Sequence, residues 1–275
     1  MDIPRIELNT GETIPQIGLG TWQVTDETVT RAVKQAYKLG YRHIDTAEMY
    51  KNEEAIGDAL KELPREELFI TSKAWMSHFD KEGLKEACNA TLERLGTSYL
   101  DLYLLHWPKT GTDYKETFEA LKELQDEGSV KSVGVSNFTI KHLEEVLPIA
   151  EEVGLTISVN QVEFHAHLYQ KELLEHCLKN DIVVTAYSPL ARGKLQDDDV
   201  LKQVAEKHNA TPNQIALRWL MQHGLVVIPC SKSEEHQREN LEAAEVELDH
   251  EDVEAIDGIE HEERLINPSF AEFDH

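Results

Sequence analysis

Apolar positions along the chain fall into two alternating patterns. Short aliphatic and β-branched runs recur at 16–19, 43–46, 68–72, 100–105, 131–135, 157–161, 182–186 and 226–228, and each reads as a buried strand. Between them the apolar residues are spaced as on a helix. Over 82–95, Leu84, Ala87, Cys88, Thr91, Leu92 and Leu95 return every three or four positions, which predicts one stripe packed against a sheet. Gly40 and Gly96 follow such stretches, where the backbone must leave the helix, and Pro212 stands where one begins.

Repeated strand and helix units of this number favour a closed (β/α)8 TIM barrel over an open sheet, because closure gives the last strand a partner. No G-x-G-x-x-G fingerprint follows any of the strands. Ahead of the first unit, 6–14 reads as a β-hairpin turning at Gly11 and placed to cap the barrel bottom. With no linker, internal repeat or low-complexity tract, residues 1–275 are expected to form a single domain.

Composition then narrows the function. The chain carries 52 acids against 27 Lys and Arg, a net charge of −25, and its 40% hydrophobic content is enough for a core. That charge opposes nucleic acid and anionic membrane surfaces, so neither is expected as a partner. The first five residues lack the features of a signal peptide and no long apolar run occurs, so a cytoplasmic location is expected. Cys88, Cys177 and Cys230 are widely spaced and read as reduced thiols. Acid excess is concentrated beyond residue 233, where Arg238 and Arg264 are the only Lys or Arg. A solvated acidic face accounts for it, and adaptation to a salt-rich cytoplasm is a compatible reading.

In a barrel the chemistry sits at the C-terminal ends of the strands. Those ends carry His43-Ile44-Asp45-Thr46-Ala47, Tyr50 followed by Asn52-Glu53, Lys73, and Leu105-His106-Trp107-Pro108. Together with Gly134-Val135-Ser136-Asn137-Phe138, Asn160-Gln161-Val162-Glu163, Ala186-Tyr187-Ser188-Pro189-Leu190 and Ile228-Pro229, they resemble the signatures of the aldo-keto reductase family. The motifs run in order along nearly the whole chain and are most similar to the prokaryotic 2,5-diketo-gluconate reductase type.

The resemblance implies NAD(P)H-dependent reduction of an aldehyde or ketone, sugar-derived or a small dicarbonyl, to an alcohol. It makes Tyr50 the general acid, with Lys73 lowering its pKa, Asp45 holding Lys73, and His106 orienting the carbonyl. It also assigns Gly20, Thr21, Trp22, Ser136, Asn137, Gln161 and Tyr187 to the cofactor. Arg192, in the acid-free run 185–196 with Ser188 and Leu190, suits a loop over the pyrophosphate.

A second acid-free run, 211–232, leads into a helix whose start suits a phosphate. Ser231, Glu239 and Asn240 match the family there. The family's lysine and arginine for the adenosine 2′-phosphate are replaced by Cys230 and His236, with Lys232 and Arg238 each displaced by two positions. NADP(H) is the first expectation and NAD(H) the alternative. Trp22, Trp75, Trp107 and Phe270 are candidate walls of the substrate pocket, with the C-terminal tail 267–273 folded over the barrel mouth.

Two other readings compete with this one. A non-enzymatic, cofactor-sensing barrel is opposed by retention of Asp45, Tyr50, Lys73 and His106. A metal-dependent barrel hydrolase is suggested by His165-Ala166-His167, but no companion H-x-H or bridging carboxylate set is recognisable, so no metal is expected. Related barrels often act alone, which makes a monomer the default.

Overall fold

The computed structural model describes residues 3–273; residues 1, 2, 274 and 275, the outer ends of the expected domain and of the leader reading, lie outside the described residues. The hairpin forms from β1 (Arg5–Glu7) and β2 (Thr13–Pro15), antiparallel with Ile6 opposite Ile14. The strands β3 (Leu19–Gly20), β4 (His43–Asp45), β5 (Phe69–Ala74), β6 (Leu100–Leu105), β7 (Val130–Ser136), β8 (Ile157–Glu163), β9 (Val183–Tyr187) and β10 (Val226–Val227) lie side by side in chain order in one eight-stranded sheet. The sheet closes on itself, as expected. Ile17 bridges Val227 and Gly20 bridges Cys230, with Gly18 N donating to Val227 O at 2.9 Å.

The helices are α1 (Asp26–Leu39), α2 (Glu53–Leu60), α3 (Lys81–Leu95), α4 (Tyr114–Asp126), α5 (Ile140–Glu152), α6 (Lys171–Lys179), α7 (Asp199–His208), α8 (Pro212–Gln222), α9 (Glu234–Glu242) and α10 (His250–Asp257). The predicted stripe of α3 is its buried face, and Gly96 ends it at φ 64°. At α8 the Thr211 side chain accepts from Gln214 N while Gln214 returns a bond to Thr211 N, with Pro212 in the first turn.

Two expectations on strand limits are corrected. The first barrel strand forms a ladder only at Leu19–Gly20 rather than over 16–19, and the last stops at Val227 rather than 228. Pro229, without an N–H, interrupts pairing beside Gly18 and Gly20. In the other direction, β7, β8 and β9 run past their last apolar residue to Ser136, Glu163 and Tyr187.

Period-two alternation decides what fills the barrel. Reading upward along inward positions, β5 offers Phe69, Thr71 and Lys73, β6 offers Leu102 and Leu104 with His106 just beyond, and β8 offers Val159, Gln161 and Glu163. The lower positions form one apolar cluster, Phe69, Leu102, Leu104, Val159, Val226 and Ile228, completed by Leu8 and Ile14 from the hairpin. So the hairpin seals the bottom. Asn9 fastens it by donating to Ile157 O at 3.0 Å and Asp181 O at 2.9 Å. Glycine is required where the barrel is tightest, since a Cβ on Gly18 would lie 2.5 Å from His43 Nδ1 and one on Gly20 2.5 Å from Ile228 O.

Candidate active site

The upper inward positions converge on a buried polar cluster. Lys73 Nζ donates to Asp45 Oδ1 at 2.6 Å, to Thr46 O at 2.8 Å and to Tyr50 Oη at 3.4 Å. The other Asp45 oxygen accepts from Gln161 Nε2 at 2.7 Å. Tyr50 ends the short 3-10 turn Glu48–Tyr50, and Lys51 at φ 55° turns the chain away. That turn is braced by Asn52, whose amide donates to Thr21 O and Val24 O at 3.0 and 2.9 Å while its oxygen accepts from Thr46 Oγ1 at 2.6 Å. Asn52 was visible in the sequence only as a motif letter, because a bracing role has no periodic signal.

Electrostatics follow from burial and from this cluster. Burial, then the Asp45 charge, holds the Tyr50 phenol well above its ordinary pKa. The ammonium lies 2.6 Å from Asp45 and 3.4 Å from the phenol, within reach of both groups. Burial also pulls Lys73 down and Asp45 up, each against the opposing pull of its partner. His106 is driven well below the usual imidazole range by burial and then by the Lys73 cation, so its ring is neutral. Its Nδ1 is buried without a partner.

A cavity of about 1230 Å³ opens above the cluster. On one side stand the rings: Trp22 packs on Tyr50 at 4.8 Å, and Phe270 stands edge-on to Trp75 at 5.6 Å and to Trp107 at 5.4 Å. Glu48 holds Trp75 by accepting its backbone N–H. On the other side Asn137 Nδ2 donates to His106 O at 3.0 Å, Asn137 Oδ1 accepts from Tyr187 Oη at 2.8 Å, and Ser136 Oγ donates to Gln161 O at 2.8 Å. Asn137 Nδ2 also donates to Ser136 Oγ at 3.1 Å, so one hydrogen-bonded network runs from Tyr187 to Tyr50. The expected tail over the mouth is present, with Asn267, Pro268 and Phe270 on the cavity wall.

Of the residues assigned from sequence, Gly20, Thr21, Trp22, Ser188, Leu190, Arg192, Ser231, Glu239 and Asn240 also line this cavity. Lys232 and Arg238 do not. Arg238 pairs with Glu234 at 3.0 Å on the outer side of α9, and Lys232 is exposed before the cap at Ser233. Helical phase explains it, since 236, 239 and 240 share one face of α9 while 234 and 238 share another. Cys230 and His236 line the wall instead. His165 and His167 lie apart from the cluster, bonded to Glu163 and Asp198 respectively. Among the described residues no three His, Cys, Asp or Glu side chains gather as a metal-binding group, and no helix is long and apolar enough to cross a membrane.

Comparison with known proteins agrees with this geometry. A model of the aldo/keto reductase family matches residues 16–261. The chain is 47% identical over 264 residues to glyoxal reductase of Bacillus subtilis (strain 168), covering 94% of each. It is 41% identical over 265 residues to methylglyoxal reductase DkgA of Escherichia coli (strain K12), again covering 94% of each. Among solved structures, an aldo-keto reductase from a Medee basin deep-sea metagenome library superposes with a TM-score of 0.92 at 39% identity, covering 98% of this chain and 100% of that one.

Proposed function

Because the chain belongs to the aldo/keto reductase family and so reduces aldehydes or ketones to alcohols, we propose that Tyr50 supplies the proton of that reaction. The observation that carries this is the Tyr50 hydroxyl at 3.4 Å from Lys73 Nζ, under the rings that wall the cavity and beside a neutral His106. Tyr50 keeps its proton until a developing alkoxide, far more basic than a carbonyl, is there to take it. The phenolate left behind faces Lys73 across 3.4 Å, an attraction strengthened by the burial of Lys73. Asp45 holds Lys73 in place, and Gln161 holds Asp45. A neutral His106 can donate its one ring N–H to the carbonyl oxygen and, lacking the second proton of an imidazolium, does not compete as the acid.

The wall beyond Tyr50 fits a nicotinamide. Ser136, Asn137 and Gln161 stand beside the Tyr187 ring, a donor, acceptor and stacking set suited to a planar carboxamide ring, and the cavity of about 1230 Å³ exceeds what a small carbonyl fills. A bound reduced nicotinamide would supply the hydride. Gly20, Thr21 and Trp22 would border it, with Ser188, Leu190 and Arg192 along its phosphates and Ser231, Glu239 and Asn240 about the adenosine. There Cys230 and His236 replace fixed cations, which supports use of NAD(H) alongside NADP(H).

Trp22, Trp75, Trp107 and Phe270 would select the substrate, and the names of the two relatives favour small dicarbonyls. The whole cavity is built by one chain folded as one domain, in keeping with a monomer, and the three free cysteines suit the cytoplasm. The test is cofactor oxidation by the purified protein with glyoxal and methylglyoxal. We expect turnover with both NADH and NADPH, at kcat/KM values within about tenfold of each other. No oxidation of either by folded protein would overturn the reading.

A further inference from the structure

We propose that Glu163 is a positioning residue that sets substrate selectivity by fixing the register of the tail over the cavity. The proposal rests on the reading of that cavity as a carbonyl-reduction site. Glu163 is the last inward residue of β8, fully buried, and carries no Lys or Arg partner among the described residues. A carboxylate in that position is costly unless its oxygens are hydrogen-bonded. The donors come from the tail: Leu265 N reaches Oε1 at 2.8 Å and Ile266 N reaches Oε2 at 2.9 Å. His165 Nε2 lies 3.1 Å from Oε1 and aims the group. These bonds outweigh burial and hold the Glu163 carboxyl below its ordinary range, so it is the charged form that grips the tail.

The consequence lies in register. From residue 259 to 268 the tail has no helix or strand to order it. Two consecutive amides held by the two oxygens of one carboxylate anchor the tail at 265 and 266, and the Arg264 side chain beside them distinguishes this alignment from one slipped by a residue. Gln170 reinforces it, donating to Glu163 O at 2.7 Å and accepting from Arg264 Nη2 at 3.0 Å. Further along, Glu272 accepts from Thr110 N at 2.9 Å, so the segment between is strung from two anchors. Phe270 is in that segment. A slip of one residue would set Ser269 or Ala271 against Trp75 and Trp107, where Phe270 now stands.

The test is steady-state kinetics of Glu163→Gln with glyoxal and with the aryl analogue phenylglyoxal, alone and in a Phe270→Ala background. Glutamine keeps one acceptor but turns an NH2 group toward a tail amide. We expect KM for phenylglyoxal to rise about tenfold, the worth of a lost aromatic contact, with its kcat and both glyoxal constants changed by less than about twofold. In Phe270→Ala the same substitution should add nothing further. Equal losses for the two substrates, or full additivity with Phe270→Ala, would overturn the proposal by making Glu163 merely structural. Should Glu163→Gln not fold, Ile266→Pro removes one donor from the tail side and should give the same selective rise. Hydrogen exchange at the Leu265 and Ile266 amides, slow in the parent and fast in Glu163→Gln, reads the grip without turnover. Absent turnover in the parent would therefore count against the reductase reading, whereas fast exchange in the parent would overturn the grip itself.

Discussion

The bottom and the mouth of the barrel are made by the same strands and the same inward-facing alternation, yet they do opposite work. At the bottom Phe69, Leu102, Leu104 and Val159 interlock beneath the hairpin residues Leu8 and Ile14. Two or four residues further along the same strands the inward side chains are Lys73, His106, Gln161 and Glu163, and every one is buried. The difference teaches that burial alone does not sort core from site. What separates them is the kind of contact, apolar packing below and, at the mouth, polar partners that form a chain from Tyr187 through Asn137 on one side and from Gln161 through Asp45 and Lys73 on the other.

Substitutions at the two ends should therefore fail in different ways. Lys73→Met leaves Asp45 charged and unpaired, and should cost about 3–5 kcal/mol in urea unfolding as well as abolishing turnover. Leu104→Ala, at a fully buried position on β6, should cost about 2–5 kcal/mol through its cavity yet leave kcat within about twofold. If Leu104→Ala stops turnover at a temperature where it is folded, the division between the ends is wrong.

Acid sharpens the same contrast. His43 sits low in the barrel with its pKa brought down to about 3 by burial. Its folded-state pKa lies below that of the unfolded chain, so the unfolded state takes up the proton first, and stability should fall as pH drops from about 6.5 toward 3. At the mouth His106 is shifted down and Tyr50 up, both away from neutrality. Between about pH 6 and 9 kcat for reduction should thus show no ionisation from either residue, and a break near pH 6.5 lost in His106→Gln would contradict the neutral ring. The smallest expected effect is on the outer surface, where a net charge of −25 repels itself. Molar KCl should raise the melting temperature by a few degrees, and an unchanged melt would remove any salt adaptation.

Much of this was legible in the sequence, and the misses have physical causes. The bounds of β6, 100–105, match because leucines at 100, 102, 104 and 105 carry the aliphatic signal across Asp101 and Tyr103. For β7 and β9 the expected ends at 135 and 186 fall short because the next residues, Ser136 and Tyr187, carry polar groups, and polarity reads as an end when it marks a site. For β8 the polar Gln161 is read as the end although Val162 and Glu163 continue the strand. Asp45, Tyr50, Lys73 and His106 could be assembled from motifs at strand ends, and the structure brings them together. Lys232 and Arg238 were placed by proximity in sequence, while the turn of α9 puts Arg238 beside Glu234. The grip of Glu163 on Leu265 and Ile266 joins segments about a hundred residues apart through backbone amides, and no side-chain pattern announces it.

The account stands on Tyr50 as proton donor, and Tyr50→Phe tests it most directly. The ring and its packing against Trp22 are preserved while the hydroxyl is removed. Cofactor affinity, followed by calorimetry, should be unchanged, and single-turnover reduction of glyoxal should slow by about 10²- to 10⁴-fold. A rate within a few-fold of the parent, with the same cofactor affinity, would show that the proton comes from elsewhere.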